Sequence, residues 1–300
     1  MQNTSKVLMI RPLHFIYNAE TAVNNSFQVR GDQDHISEKA VLEFDALVNI
    51  LRQNEIDVTV VEDSPDPHTP DSIFPNNWIS FHPGGIYCLY PMFAVNRRSE
   101  RKPEVLNLIK KKFNYIHPVD FTHYEQQNIF LEGTGSMVLD RDHKIAYACI
   151  SPRTDADVLN DFCQRMDYRP VTFHAVNDEG QAIYHTNVMM CVADRFVVIC
   201  MESIPDPSEK NHVSESIISS GKEFIEISLK QMNQFAGNML QLENRMNKKI
   251  LIMSSAAFQS LNPEQIQKLS LHNQILQTSL QNIESNGGGS ARCMIAEIYL

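Results

Sequence analysis

Five polar residues recur along the chain at nearly equal spacing, each within or beside an apolar run. Neighbouring members are 53 to 55 residues apart, and the five are Asn77, Glu132, His185, Asn238 and Cys293. Three of these residue types can act together, because a cysteine attacks electrophilic carbon, a histidine transfers protons near neutral pH and a carboxylate binds nitrogen donors. The spacing therefore predicts that five similar units bring these residues into one pocket.

Cys293 is the candidate nucleophile. It follows three consecutive glycines, Gly287 to Gly289, and stands directly after Arg292. Glycines permit close backbone approach, and a neighbouring cation or a set of backbone N–H groups lowers the pKa of a thiol. The remaining cysteines lie in apolar segments and are expected to be small buried hydrophobic residues; they are Cys88, Cys149, Cys163, Cys191 and Cys200.

His185 and Glu132 are the candidate proton donor and substrate-binding carboxylate. His185 occupies the repeated position inside an apolar run, although an isolated histidine there could also be a hydrogen-bonded core residue. Glu132 follows an apolar run and precedes Gly133 and Gly135, where a charge is unfavourable unless a group binds it. A guanidino or ureido group presents two nitrogens that match a carboxylate. The alternative for Glu132 is a structural carboxylate satisfied by backbone N–H groups.

The elements that must position these residues form a repeating unit of strand, turn, second strand, helix and return strand. The predicted first strands cover residues 74–81, 129–139, 183–192 and 235–242, and the second strands cover 86–90, 144–150, 196–201 and 249–253. Helical spacing covers 104–112, 155–166, 215–220 and much of 263–279. The fifth unit is split, because 290–300 would pair with 6–10, followed by a helix over 41–53 and a return strand over 57–62. We therefore expect one α/β domain, residues 1–300, arranged as a closed ring.

Composition and net charge limit the classes of molecule that the chain is expected to bind. Hydrophobic residues make up 43% of the chain and charged residues 21%, and the formal charge is −10, which disfavours nucleic acid and anionic membrane surfaces. The apolar run from Val7 to Ile10 is too short to span a membrane. Six cysteines without a C-x-x-C pair suit a reducing cytoplasm. No metal or nucleotide motif occurs, so we expect no cofactor.

Several motifs resemble those of the pentein superfamily of guanidino-group-modifying enzymes, which includes arginine deiminases, dimethylarginine hydrolases and amidinotransferases. The motifs are Phe74-Pro-Asn-Asn-Trp-Ile-Ser-Phe-His82, Glu132-Gly-Thr-Gly-Ser136, Ser151-Pro-Arg-Thr154, Tyr184-His-Thr-Asn187 and Gly287-Gly-Gly-Ser-Ala-Arg-Cys-Met294. The chain is most similar to the citrulline-utilisation hydrolase branch, which also has an early Arg-Pro and Ala-Val-Asn-Asn, like Arg11-Pro12 and Ala22-Val-Asn-Asn25. The resemblance implies a five-bladed α/β propeller with pseudo-fivefold symmetry.

The resemblance also implies roles for individual residues. Cys293 would attack the central carbon of the substrate, and His185 would protonate the departing amine and then activate water. Glu132 would hold the substrate nitrogens. Arg153 would bind the α-carboxylate of an amino acid, a role that Arg292 could take instead.

Two asparagines depart from the arginine deiminase pattern, which has aspartate at the positions of Asn77 and Asn187. A neutral ureido group would leave such buried charges unpaired, whereas amides suit its oxygen and nitrogens. The expected function is therefore hydrolysis of citrulline to ornithine, ammonia and carbon dioxide, with the amino acid as the partner. The alternatives are an arginine deiminase or dimethylarginine hydrolase, an amidinotransferase, and a binding module without catalysis. A homodimer is compatible with the sequence, and Thr21 to Asp34 is the candidate lid.

Overall fold

The computed structural model describes residues 1–31 and 33–300. Its strands are β1 (Lys6–Arg11), β2 (Asp57–Glu62), β3 (Ile79–His82), β4 (Ile86–Leu89), β5 (His117–Asp120), β6 (Val138–Asp140), β7 (Ile145–Cys149), β8 (Arg169–Phe173), β9 (Met190–Val192), β10 (Phe196–Ile199), β11 (Glu223–Glu226), β12 (Leu240–Glu243), β13 (Lys249–Ser254), β14 (Gln274–Thr278) and β15 (Ala296–Ile298). These strands form five three-stranded sheets.

Helices connect the strands. The α-helices are α1 (Ala19–Ala22), α2 (Ile36–Gln53), α3 (Pro103–Phe113), α4 (Gly133–Ser136), α5 (Ala156–Met166), α6 (Thr186–Met189), α7 (Pro207–Ser219), α8 (Leu229–Met232), α9 (Ser255–Ser260), α10 (Pro263–His272) and α11 (Gln281–Gly287). Short 3₁₀ helices cover Pro75–Asn77, Val95–Glu100, Thr122–Gln127 and Met201–Ser203. No helix within the described part of the chain is long and apolar enough to cross a membrane.

All five sheets have the same internal pattern. The central strand pairs antiparallel with one neighbour and parallel with the other, as β4 does with β3 and β5. The parallel pair is joined by a crossover helix in each sheet: α2, α3, α5, α7 or α10. Five equivalent sheets fit the pseudo-fivefold arrangement that the repeated spacing predicts.

The two ends of the chain share one sheet. β1 pairs antiparallel with β15, in a register that sets Val7 opposite Glu297, and it pairs parallel with β2. The pairing of the chain ends, predicted from the split fifth unit, is confirmed by this register.

The crossover helices follow from amphipathic spacing and capping. In α5, the Asp155 side chain accepts hydrogen bonds from the backbone N–H groups of Asp157 and Val158, which satisfies donors at the helix start. The buried face carries Leu159 and Phe162, and Asp167 ends the helix in the left-handed region. The predicted helix over 155–166 is confirmed within one residue.

The predicted first strands are much longer than the observed ones. Within 129–139 and 183–192, the four-residue helices α4 and α6 interrupt the expected strands, and the only strands there are the three-residue β6 and β9. A short apolar run does not distinguish a buried strand from a buried helix. The helix-rich stretch 263–279 is likewise divided, because α10 ends at His272 and β14 follows it.

Candidate active site

Short turns and helices place the five repeated polar residues at the starts of the first strands. Glu132 directly precedes α4 and His185 directly precedes α6, so the two occupy equivalent positions in neighbouring sheets. Asn77 ends a 3₁₀ helix just before β3, while Asn238 and Cys293 precede β12 and β15. All five side chains are at least 98% buried.

The thiol of Cys293 lies among amide side chains. Its Sγ is 3.3 Å from Nδ2 of Asn238 and 3.6 Å from Nδ2 of Asn187, and its backbone N–H donates to the carbonyl of Ser290 at 2.9 Å. Burial raises the pKa of the Cys293 thiol, and these hydrogen bonds offset burial only in part. Without a ligand, the cysteine is therefore a neutral thiol near pH 7.

His185 is held by Glu132. His185 Nε2 lies 2.8 Å from Glu132 Oε2, and the other carboxylate oxygen accepts the backbone N–H of Phe93 at 2.9 Å. Burial lowers the pKa of His185 to about 4, with partial opposition from Glu132. Burial also opposes ionisation of Glu132, but the charge of Arg153 and the hydrogen bond with His185 outweigh it and lower the pKa of Glu132 to about 2. The carboxylate is ionised and the imidazole is neutral near pH 7.

This placement differs from the sequence interpretation of Glu132. Both of its oxygens are already engaged, and its side chain is not among those that line the cavity containing Cys293 and His185. The sequence-based role against the substrate nitrogens requires direct access to that cavity. The structure instead places Glu132 in contact with the His185 ring, outside the lining of the cavity.

Gly135 permits the close packing of His185 and Asn77. A Cβ atom at Gly135 would lie 2.5 Å from Asn77 Nδ2 and 2.8 Å from His185 Nδ1. Such distances are well inside van der Waals contact, so a side chain at this position would displace one of the two groups. Gly135 belongs to the motif from Glu132 to Ser136, but the motif by itself does not indicate this contact.

Two arginines line the wall of the cavity. Arg153, selected from the sequence, donates from Nε to Asn24 Oδ1 at 2.8 Å and from Nη2 to the carbonyl of Thr21 at 2.5 Å. Arg97, which sequence reasoning missed, donates to Glu100 through Nε at 2.8 Å and through Nη2 at 3.0 Å. A bidentate pair of this kind holds a guanidinium group in a fixed orientation.

Asp71 presents an unpartnered oxygen at the same cavity. Its Oδ2 accepts hydrogen bonds from Asn18 at 2.7 Å and Thr21 at 3.2 Å, whereas its buried Oδ1 has no hydrogen-bond partner in residues 1–31 and 33–300. Burial raises the pKa of Asp71, although Arg97 opposes this shift. A buried carboxylate oxygen without a donor is costly, so a ligand N–H group is its natural partner.

Arg97 also engages Asn77, the first of the two asparagines selected from the sequence. Arg97 Nη1 donates to Asn77 Oδ1 at 2.8 Å, and Asn77 Nδ2 donates to Asn76 at 2.9 Å. The structure thus brings Asn77, Asn187, Arg153, His185 and Cys293 to one site.

A sequence model of the eukaryotic N,N-dimethylarginine dimethylhydrolase family matches residues 11–300. The chain belongs to this family. Its membership confirms the resemblance to the pentein superfamily of guanidino-modifying enzymes, and it makes the chain a hydrolase of carbon–nitrogen bonds other than peptide bonds. A search of curated proteins finds no significant match.

Solved structures with the same fold include two forms of ArgZ, an arginine dihydrolase from the ornithine–ammonia cycle in cyanobacteria. The apo form gives a TM-score of 0.78 at 18% identity, covering 97% of this chain and 40% of ArgZ. The N-terminal domain of a cysteine-to-serine mutant bound to substrate gives 0.77 at 20% identity, covering 98% and 99% of the two chains. This chain therefore spans about 40% of the length of full ArgZ.

A dimethylarginine dimethylaminohydrolase, solved as an adduct with S-methyl-L-thiocitrulline, is a more distant structural relative. Its TM-score is 0.64 at 13% identity, with 98% of this chain and 99% of that chain covered. At these identities, the structural similarities establish the fold alone.

Arg292 is not brought to the site. Its guanidinium donates to the carbonyl of Ile295 at 2.8 Å and to Glu297 at 2.8 Å, and it lines a different cavity. Arg292 and Cys293 lie in one turn before β15, and of the two only Cys293 lines the cavity with His185, so adjacency in sequence was misleading.

The segment selected as a lid covers the cavity. Thr21 and Asn25 line it, and the backbone N–H of Val29 donates to Ser285 at 2.7 Å. Residue 32, within the predicted lid from Thr21 to Asp34, lies outside the described residues. The covered cavity has room for about one water molecule.

Proposed function

We propose that the chain hydrolyses the guanidino group of arginine or of an Nω-methylated arginine, with Cys293 as the nucleophile. The observation that carries this proposal is the burial of a neutral thiol beside neutral amides in a cavity with an unpartnered carboxylate oxygen. A cationic guanidinium next to Sγ would lower the pKa of the thiol, whereas a neutral ureido group would not. A bound arginine-type substrate would therefore favour the thiolate form of Cys293, which is the form that attacks the substrate.

The reaction would proceed in two stages. His185 accepts the thiol proton as Sγ of Cys293 adds to the guanidino carbon. It then delivers that proton to the departing amine, and the C–N bond breaks to leave an S-alkylthiouronium on the enzyme. A water molecule, deprotonated by His185, then adds to the same carbon, and the C–S bond breaks to release thiolate and a ureido product. Arginine and water would give citrulline and ammonia, while dimethylarginine would give citrulline and dimethylamine.

Glu132 would act through His185. Its negative charge, 2.8 Å from the ring, favours the imidazolium form that must exist while the proton is in transfer. Arg153 and Asp71 would bind the carboxylate and ammonium groups of the amino acid, because they supply complementary charges on one wall. The lid contacts of Arg153 must break for the substrate to enter, since the covered cavity is too small for an amino acid.

Citrulline is the second candidate substrate. The amides of Asn187 and Asn238 next to Sγ favour it, because an amide N–H can donate to a urea oxygen without leaving a charge unpaired. Hydrolysis of that ureido group would give ornithine, ammonia and carbon dioxide.

Incubation of the purified protein with L-arginine, Nω,Nω-dimethyl-L-arginine and L-citrulline, followed by mass analysis, separates these reactions. We expect ammonia from arginine or dimethylamine from dimethylarginine, and a covalent adduct on Cys293. The Cys293→Ala variant should fold, as judged by its melting temperature, and should give neither product nor adduct. The proposal fails if neither arginine nor dimethylarginine is hydrolysed, whether or not citrulline is, or if the alanine variant remains active.

We also propose that the five sheets close into a single five-bladed propeller domain that works in the cytoplasm. Contacts between β3 and β15, between β6 and β9, and between β9 and β12 support closure. All six cysteines are free thiols, which suits a reducing compartment.

A further inference from the structure

A second cavity is lined in part by the first strands of three of the five sheets. Its lining includes Leu139 of β6, Val192 of β9 and Leu240 of β12, together with the charged side chains of Arg141, Arg292 and Glu297. None of these charged groups lines the cavity that contains Cys293. The second cavity has room for about one water-sized group.

Arg141 is a buried cation without a carboxylate partner. Its guanidinium lies 4.0 Å from the centre of the Tyr299 ring, and Nη1 is 3.5 Å from His82 Nδ1. No carboxylate within the described ranges, 1–31 and 33–300, comes within the ion-pair distance of 4.0 Å. The aromatic face and the neutral imidazole carry no formal charge, so the positive charge of Arg141 is balanced only at longer range, by Glu297.

The nearest acidic residues are already engaged elsewhere. Glu297 receives Arg292 on one oxygen at 2.8 Å and the hydroxyl of Tyr299 on the other at 2.6 Å. Asp140, which precedes Arg141, lies 3.6 Å from the ammonium group of Lys222. Two guanidinium groups therefore share the cavity with one carboxylate, which leaves one positive charge in excess.

The neutral polar side chains Gln2 and Thr134 of the cavity do not supply the missing partner, and the hydroxyl of Thr134 donates to the carbonyl of Asn76 at 3.3 Å. Gln2 uses its side-chain N–H groups to donate to the carbonyls of Leu139 at 3.0 Å and Val192 at 3.1 Å. Its side-chain oxygen accepts the backbone N–H of Arg141 at 2.7 Å, and so does not neutralise the guanidinium. The space and the excess charge together match a small monovalent anion.

We propose that Arg141 and Arg292 hold a chloride-sized anion in this cavity, which shares no lining residue with the cavity that contains Cys293 and His185. The site is built from buried side chains whose charges do not cancel, and it admits a group of about one water's size while excluding larger organic anions. Because Arg292 directly precedes Cys293, the anion would also fix the backbone that carries the nucleophile.

The test is the melting temperature of the purified protein in sodium chloride and in sodium gluconate at equal ionic strength. A bound anion raises the melting temperature by about 2 to 3 °C once chloride exceeds its dissociation constant tenfold, whereas bulky gluconate leaves it unchanged. Arg141→Met should abolish the chloride response. Arg101→Met is the matched control, since Arg101 pairs with Glu125 at 2.8 Å away from the cavity, and it should retain the response.

Crystals of the wild-type protein grown in sodium bromide provide a second measurement that does not depend on the folding of a variant. Anomalous scattering should place one bromide ion between the guanidinium groups of Arg141 and Arg292. A wild-type melting temperature that depends only on ionic strength, or a water molecule at that position in bromide crystals, would overturn the proposal.

Discussion

Replacement of Glu132 by glutamine tests whether this carboxylate acts on His185 or on the substrate. Glutamine keeps the shape of the side chain but loses its charge and one acceptor. In the wild type, the backbone N–H of Phe93 donates to a carboxylate oxygen of Glu132 at 2.9 Å. In the variant, if the glutamine oxygen faces His185, the NH₂ group faces this N–H and cannot accept a hydrogen bond from it. The variant thus loses either that hydrogen bond or the 2.8 Å contact with His185.

We expect Glu132→Gln to lower kcat. Hydrogen bonds to charged groups contribute about 1.5 to 3 kcal/mol, and the bond to His185 strengthens when the ring carries the proton in transit. At about 1.4 kcal/mol per tenfold change in rate, loss of this interaction should lower kcat roughly 10- to 150-fold. The pKa of His185 is already lowered to about 4 by burial, and without Glu132 it should fall further. KM should change little, because Glu132 does not line the cavity.

Steady-state kinetics on L-arginine and on dimethylarginine measure both constants. Glu125→Gln is the matched control, because Glu125 also accepts a backbone N–H group, that of Met92 at 2.9 Å, and also pairs with an arginine, Arg101 at 2.8 Å. That variant should retain kcat. A Glu132→Gln variant that keeps kcat within twofold would refute an action of Glu132 through His185. A variant that raises KM at constant kcat would also refute it, and would favour direct contact between Glu132 and the substrate.

Three further outcomes are expected. Asn187→Asp should raise the preference for arginine over citrulline, measured as the ratio of kcat/KM values, by roughly 1 to 3 kcal/mol, because the new carboxylate beside Sγ gains the substrate guanidinium as a partner, whereas a carboxylate at position 77 would pair with Arg97. An unchanged ratio in a well-folded Asn187→Asp variant would contradict this. Gly135→Ala should lower kcat and reduce the free energy of unfolding by roughly 1 to 3 kcal/mol, because its Cβ would lie 2.8 Å from His185 Nδ1. Wild-type kinetics in this variant would mean that the position of the His185 ring does not affect catalysis. Alkylation of Cys293 by iodoacetamide in the ligand-free protein should become faster as the pH rises from 6 to 9. The reason is that burial raises the pKa of the thiol above its usual 9, and only the thiolate reacts. An alkylation rate that does not change with pH would indicate a preformed thiolate.

The repeat and the candidate nucleophile could be identified from the sequence because both depend on local or periodic features. An amphipathic run such as 155–166 forms its helix with its own cap at Asp155, and five polar residues at near-constant spacing indicate five equivalent units. A cysteine after three glycines stands out without any knowledge of its neighbours in space. These features specify what each unit is and how many units there are.

The partners of the site residues were decided only by tertiary packing. Glu132 meets His185 across 53 positions, and Arg153 meets Thr21 across 132, so both contacts depend on how separate sheets pack together. The cavity that Asp71 or Arg292 lines depends on the direction in which its side chain points, and a turn of the backbone can reverse that direction. The sequence determined the chemical groups, but the packing of the five sheets determined which group each one faces.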